Sequence, residues 1–306
     1  MTRRRWVSFF SVAVIAACGS FSGSDREGTD QDASTPDATT GPNNGDGGAV
    51  SDARADQGNT SMDSGPRCNP SAPWRVPVSV AMAVPVNRMG EFRLTPDEQN
   101  AYFDDAAGNA YFAPMVSHTA VGMPTPITIY GNDGGVASLT LSNDQSIAFF
   151  NQGSTLWTAT RDGGVYARGT PALRINSSEP YLDEGANTLW IANFLTYAPD
   201  YQRSIMYTTV SGTSVGVFST LGIDAASVYA PTPGAPNEGL YYTVDFGPPH
   251  HLDIYLHAGG TETRQDALNS DQDDSPAYVT RDGCYMYLVS TRSSLNNQLY
   301  VSVRGN

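Results

Sequence analysis

The chain has 306 residues, 31 acidic and 17 basic, every basic one an arginine, for a formal net charge of -14. An acid excess of this size sets the molecule against nucleic acid and against bare anionic membrane surfaces as partners. Three segments follow in order, residues 1–17, 18–67 and 68–306, and each has its own composition.

The first segment opens with Arg3, Arg4 and Arg5 and continues through an uncharged, mostly apolar stretch over residues 6–17. This is the pattern of a secretory signal. A helix of about a dozen residues spans roughly 18 Å, short of a hydrocarbon core of about 30 Å, so the stretch is no membrane span. It ends Ile15-Ala16-Ala17-Cys18-Gly19, which resembles the lipobox of bacterial lipoproteins at every position. That resemblance implies cleavage before Cys18, acylation of Cys18 and attachment to the membrane through the lipid. Gly19 and Ser20, where inner-membrane lipoproteins carry acidic residues, imply the outer membrane, with periplasmic and external orientation both open. Residues 2–7 also resemble a twin-arginine export motif, which leaves the export route open.

Residues 19–67 are rich in Asp, Gly, Ser, Thr, Pro and Asn and poor in aliphatic and aromatic residues. Such a segment cannot bury enough apolar surface to offset the entropy of ordering it. Residues 18–67 are therefore expected to be an acidic disordered tether, with a reach of about 40 Å for a flexible coil of this length. Asp30 and Asp32 alternate as in a calcium loop, but the glycine and distal glutamate of that loop are missing, so no metal is expected there.

From residue 68 onward, short runs of Val, Ile, Thr, Tyr, Phe and Trp alternate with Gly, Asp, Asn and Pro clusters, and no long helical periodicity appears. This is the signature of an all-β domain. One pattern recurs five times, as PDEQNAYF, NDQSIAFF, DEGANTLWI, PNEGLYY and RDGCYMYL, placing Tyr102, Phe149, Trp190, Tyr242 and Tyr287 in equivalent positions 41 to 52 residues apart. A second strand follows each copy, as in TLWTATR at 155–161 and QLYVSVR at 298–304. A four-stranded propeller blade needs about 40 to 50 residues.

The last copy, Asp274-Ser275-Pro276 through Thr280-Arg281-Asp282-Gly283 to Tyr287, and the approach to the third, Ser178-Glu179-Pro180-Tyr181-Leu182, resemble the TolB-type, WD40-like propeller repeat. The resemblance covers about 90–306. It implies a β-propeller of five or six four-stranded blades over residues 68–306, preceded by the signal peptide and the disordered linker. Residues 74–86 either supply an unrecognised sixth blade or close the ring by completing the last one, and the absence of an obvious fourth strand at the end of the chain favours closure. An exported protein meets an oxidising compartment, so Cys68 and Cys284 are expected to form a disulfide pinning the start of the domain to its final blade, with two free buried thiols as the alternative.

Candidate chemistry is sparse. Gly212-Thr213-Ser214-Val215-Gly216 fits the pattern of a hydrolase nucleophile elbow, but both flanks read as strands where the elbow needs a following helix, so a hairpin turn is expected. His250, His251 and His257 match no zinc spacing and are expected as solvated loop and strand-end residues. Residues 271–274, DQDD, are expected as a solvated acidic loop. No catalytic residue, metal ligand or cofactor is assigned, and Cys18, Cys68 and Cys284 are the residues with an assigned role. The expected function is a lipid-anchored cell-envelope protein presenting its propeller as a non-catalytic binding or scaffolding platform for a protein or cell-wall glycan. The alternative is a propeller enzyme, a glycan hydrolase or lyase, with its site in the central channel. Clustered carboxylates at a deep pocket would favour the enzyme, and a flat polar face would favour binding.

Overall fold

The computed structural model describes residues 68–86, 88–131, 134–173, 177–194, 203–223, 227–246, 251–293 and 296–305. Cys18, the signal segment, the tether with Asp30 and Asp32, and His250 lie outside the described residues. Every described element is a strand, and the strands form five sheets.

Blade 1 holds Met89–Leu94, Asn100–Asp105 and Ala110–Ser117, with Ala120–Val121 and Thr125–Ile127 along its outer strand. Blade 2 runs Ala137–Leu141, Ile147–Gln152, Thr155–Asp162 and Val165–Leu173, with Ile129–Tyr130 added parallel at its outer edge. Blade 3 runs Ser177–Asp183, Thr188–Phe194 and Arg203–Ser211, edged by Ser214–Val215 and Ser219–Thr220. Blade 4 runs Val228–Pro233, Leu240–Asp245, Leu252–Ala258 and Thr261–Arg264. Blade 5 runs Asp274–Val279, Tyr285–Ser290 and Gln298–Val303, and its fourth strand is Val78–Ser79 from the start of the domain. The first strand of each blade contacts the first strands of both neighbours, which closes a ring. The domain is a five-bladed β-propeller, and residues 74–86 form no sixth blade.

The apolar runs on the second strands have a direct cause. Successive side chains of a strand point to opposite faces of the sheet, and in a propeller both faces are buried against neighbouring blades. Tyr102 packs toward blade 2 while Phe103 packs toward blade 5, and Phe149 and Phe150 divide in the same way. Five core clusters result, one in each seam between blades. The same rule corrects the repeat alignment in blade 4. Tyr241 sits opposite Thr232 as Tyr102 sits opposite Arg93, and it packs toward blade 5, whereas Tyr242 packs back toward blade 3. The equivalent aromatic is Tyr241.

The turn before each second strand is built locally. In three blades a hydroxyl meets an aspartate two residues on: Thr95 Oγ1 donates to Asp97 at 2.6 Å, Ser142 to Asp144 at 2.7 Å and Thr280 to Asp282 at 2.7 Å. The same aspartates accept backbone N–H groups from Gln99, Ser146 and Cys284. The next residue takes positive φ, at 57° for Glu98, 58° for Gln145 and 73° for Gly283, so two blades place a strained non-glycine residue where blade 5 carries glycine.

The segment before Met89 closes the ring. Cys68 is bonded to Cys284 with a Cα separation of 5.6 Å. Trp74 bridges Arg304, Val78–Ser79 completes blade 5, and Ala81–Met82 pairs in parallel with Ala120–Val121 of blade 1. Trp74 Nε1 and Arg304 Nη2 both donate to the Tyr241 hydroxyl at 3.0 Å, the Arg304 guanidinium lies 4.0 Å over the Trp74 ring, and Glu238 closes the knot as an ion pair with Arg304. One short segment thus ties blades 4, 5 and 1.

Gly239 illustrates how tightly blade 4 turns. Its φ is +123°, and an added Cβ would lie 2.3 Å from the His257 carbonyl oxygen. Gly239→Ala is expected to cost on the order of 2 to 3 kcal/mol, read as a lower urea midpoint; an unchanged midpoint would contradict the backbone geometry.

Candidate functional site

The starts of the inner strands line one mouth of the central channel and their ends line the other. At the first mouth every inner strand carries a register shift against its second strand, between Met89 and Phe92 in blade 1 and between Ser178 and Tyr181 in blade 3, for example. In blades 2, 3 and 4 a non-glycine residue with positive φ sits at this kink: Ser138, Glu179 and Ala230. Such bulges turn backbone and side chains away from the regular ladder.

Into this mouth, a cavity of about 660 Å³, come Glu91, Asp104 and Glu179. Asp104 Oδ1 accepts the N–H of Glu91 at 2.9 Å and Oδ2 accepts the N–H of Ser138 in blade 2 at 3.2 Å. Glu179 Oε2 accepts the N–H of Ala230 in blade 4 at 2.5 Å and Oε1 faces Arg203 at 3.6 Å. Glu91 pairs with Arg93 at 2.8 Å. Asn151 donates to the Ser177 carbonyl at 2.9 Å and Thr243 to Ser275 Oγ at 3.0 Å, joining blades 2 to 3 and 4 to 5. These polar groups staple blade 1 to 2, 2 to 3, 3 to 4 and 4 to 5. Burial, reinforced by the Glu91 charge, pushes the Asp104 and Glu179 carboxyls up to about 7. Burial also raises Glu91, against the opposing pull of Arg93.

Arg93 separates the two mouths. Only 1 % exposed, its Nη1 donates to the Ala277 carbonyl of blade 5 at 2.5 Å and its guanidinium lies 4.5 Å over the Tyr181 ring of blade 3. Thr140, Tyr181, Thr232 and Tyr278 hold the corresponding inner-strand positions in the other blades.

The second mouth is a funnel of about 880 Å³ whose lining includes Tyr102, Tyr181, Tyr278 and Trp190 among leucines, prolines and turn residues. Burial pushes the Tyr181 and Tyr278 hydroxyls well above the usual phenol range. Trp190 and His257 are among the residues lining the funnel, and Trp190 Nε1 and His257 Nδ1 are buried without a hydrogen-bond partner.

Residues 212–216 form a turn at the outer edge of blade 3, with Ser211 paired to Ser214 and Gly212 at φ +59°, and strands on both sides. His251 is exposed, 3.9 Å from Asp273, while His257 lies at the opposite mouth, so the structure does not bring them together. No group of three or more metal-ligating side chains occurs among the described residues. Asp274 departs from the expectation of a solvated loop. It is fully buried, pairs with Arg292 at 2.5 Å and accepts the N–H and hydroxyl of Ser270 at 2.6 and 2.7 Å, because it begins the inner strand of blade 5. The channel group of Glu91, Arg93, Asp104 and Glu179 was not singled out in the sequence. The available signal was charge inside otherwise apolar strands, as in MGEFRL and NAYFDD.

The sequence matches no protein-family model and no curated protein. Among solved structures it is similar to a protein described as TolB from Agrobacterium tumefaciens, at 11% identity and TM-score 0.46 over 70% of this chain and 76% of that one. It is also similar to a chain of a nidogen/laminin complex, at 15% and 0.47 over 73% and 88%, and to a luciferin-regenerating enzyme, at 10% and 0.46 over 75% and 97%. Likenesses at this level carry no function across.

Proposed function

We propose that this chain is an exported, lipid-anchored cell-envelope protein, acylated at Cys18 and tethered to the outer membrane by residues 18–67, whose TolB-like propeller is a non-catalytic binding platform. Its ligand enters at the tyrosine-lined funnel. The observation that carries the binding reading is the state of the channel carboxylates. They do cluster at a cavity, but Asp104 and Glu179 accept backbone N–H groups, Glu179 also faces Arg203, and Glu91 is paired with Arg93. The bonds to Ser138 and Ala230 make Asp104 and Glu179 staples of the ring, and the arginines hold Glu91 and Glu179 in place. The Cys68–Cys284 bond supports an oxidising destination.

The lipid anchor is tested by detergent phase partition. Full-length wild type is expected in the detergent phase and Cys18→Ala in the aqueous phase; equal partition would sink the anchor. A partner recovered by mild crosslinking in the wild type, and reduced in Cys18→Ala, would name what the anchored platform holds.

A second reading is favoured by one observation: carboxyls that ionise near 7, as Asp104 and Glu179 do, suit general acid and base work in a glycan hydrolase or lyase. Release of oligosaccharide from cell-wall glycan by the purified protein, abolished in Glu179→Gln, would replace the platform with the enzyme.

A further inference from the structure

We infer that the funnel takes a neutral glycan, an assignment that rests on the binding reading above and names its ligand class. Four residues lining this one cavity carry a polar group with no hydrogen bond to another described residue: the hydroxyls of Tyr181 and Tyr278, and Trp190 Nε1 and His257 Nδ1, of which the two nitrogens are buried. Around them stand ring carbons and the apolar side chains of Leu94, Leu141 and Val279. A wall that alternates apolar carbon with single donors matches a sugar ring, which carries C–H faces and hydroxyl oxygens together. The phenols keep their protons at working pH because burial holds their ionisation high, so they remain donors. A phenol hydroxyl with no protein partner is free to donate to a ligand oxygen in the cavity.

Two further observations narrow the class. With Glu238 paired to Arg304, charge in the lining is still acidic on balance, from Asp183 and Glu184 against Arg281, which opposes a uronate or phosphate-bearing glycan. A peptide adding as a strand needs an open edge, and the inner strands of blades 2, 3 and 5 already spend channel-facing groups on their neighbours. Leu182 N donates to Thr140 Oγ1, Leu141 N to the Tyr102 hydroxyl, and the Pro276 carbonyl accepts from Thr232 Oγ1. Pro180, Pro231 and Pro276 offer no N–H at all.

The test titrates full-length protein, followed by tryptophan emission and calorimetry, with triacetylchitotriose, cellotriose and maltotriose as neutral probes and trigalacturonate as the anionic one. At least one neutral probe is expected to saturate, with trigalacturonate weaker by about tenfold or more, and Tyr278→Phe, which removes only a hydroxyl, is expected to weaken the neutral probe about fivefold. Equal or tighter binding of trigalacturonate, or no effect of Tyr278→Phe, would overturn the assignment. A proline-rich decapeptide runs in parallel. If it alone binds and Tyr278→Phe weakens it, the glycan is wrong while the funnel remains the binding mouth. If neither class binds, both readings fall.

Discussion

Replacing Cys68 and Cys284 together by serine is expected to lower the thermal midpoint of the domain by on the order of 10 °C. The bond closes a loop with a sequence separation of 216, for which the chain-entropy relation gives about 5 kcal/mol before any native strain is set against it. Its position magnifies the consequence. Val78–Ser79 and Ala81–Met82 are each two residues long, so the strands that seal the ring hold few ladder hydrogen bonds of their own. Without the covalent link, the segment relies on the knot of Trp74, Tyr241, Arg304 and Glu238. Reduced wild type should melt with the double variant. A midpoint within 2 or 3 °C of the oxidised protein, roughly 1 kcal/mol for a domain of this size, would show that the strap seals the ring unaided.

The second large effect is with pH. Asp104 rises from 3.8 when free to about 7 in the fold, and Glu179 from 4.5 to about 7. Between those limits the native state holds protons that the unfolded chain has released. The stability these two groups contribute is therefore full below about pH 4 and is lost as pH climbs through 7. Each tenfold change in proton affinity is worth about 1.4 kcal/mol, and the two groups are coupled through Glu91, so the loss is on the order of a few kcal/mol. Asp144, held near 2 by the Ser142 and Ser146 hydroxyls and the Ser146 N–H, acts only in more acid solution and does not offset it. Urea midpoints should fall from pH 5 to pH 8. The chain's net negative charge pushes the same way, so the decisive reading is Glu179→Gln, which keeps an acceptor for Ala230 N–H and should flatten the slope. A slope as steep as wild type would remove Glu179 from the account.

How much of this was legible in the sequence follows from where each signal resides. The five repeats were readable because turn chemistry is local, a hydroxyl and an aspartate two residues apart, and because strands buried on both faces read as unbroken apolar runs such as NAYF and IAFF. The slip in blade 4 arose because Tyr241 and Tyr242 are both buried, and only the seam each one fills distinguishes them. Ring closure was legible as a choice between two outcomes; strands of two residues carry too little pattern to name their partners. The channel group was hidden for a different reason. Arg93 reaches Ala277 across 184 positions, and Asp104 reaches Ser138 across 34, so no spacing rule could unite them. Asp274 was hidden by its neighbours, since Asp271 and Asp273 are exposed and only the inner-strand position distinguishes it.

The Cys68–Cys284 bond also decides how the domain answers a pull. Tension arriving along the chain before Cys68 would, in its absence, fall on the strap and peel two-residue strands one hydrogen bond at a time. With the bond in place the load passes at Cys284 into the turn that leads to Tyr285–Ser290, a strand flanked on both sides within blade 5. The strap from Trp74 to Met82 is then slack under traction, and the propeller can be dragged by its leading end without being unzipped.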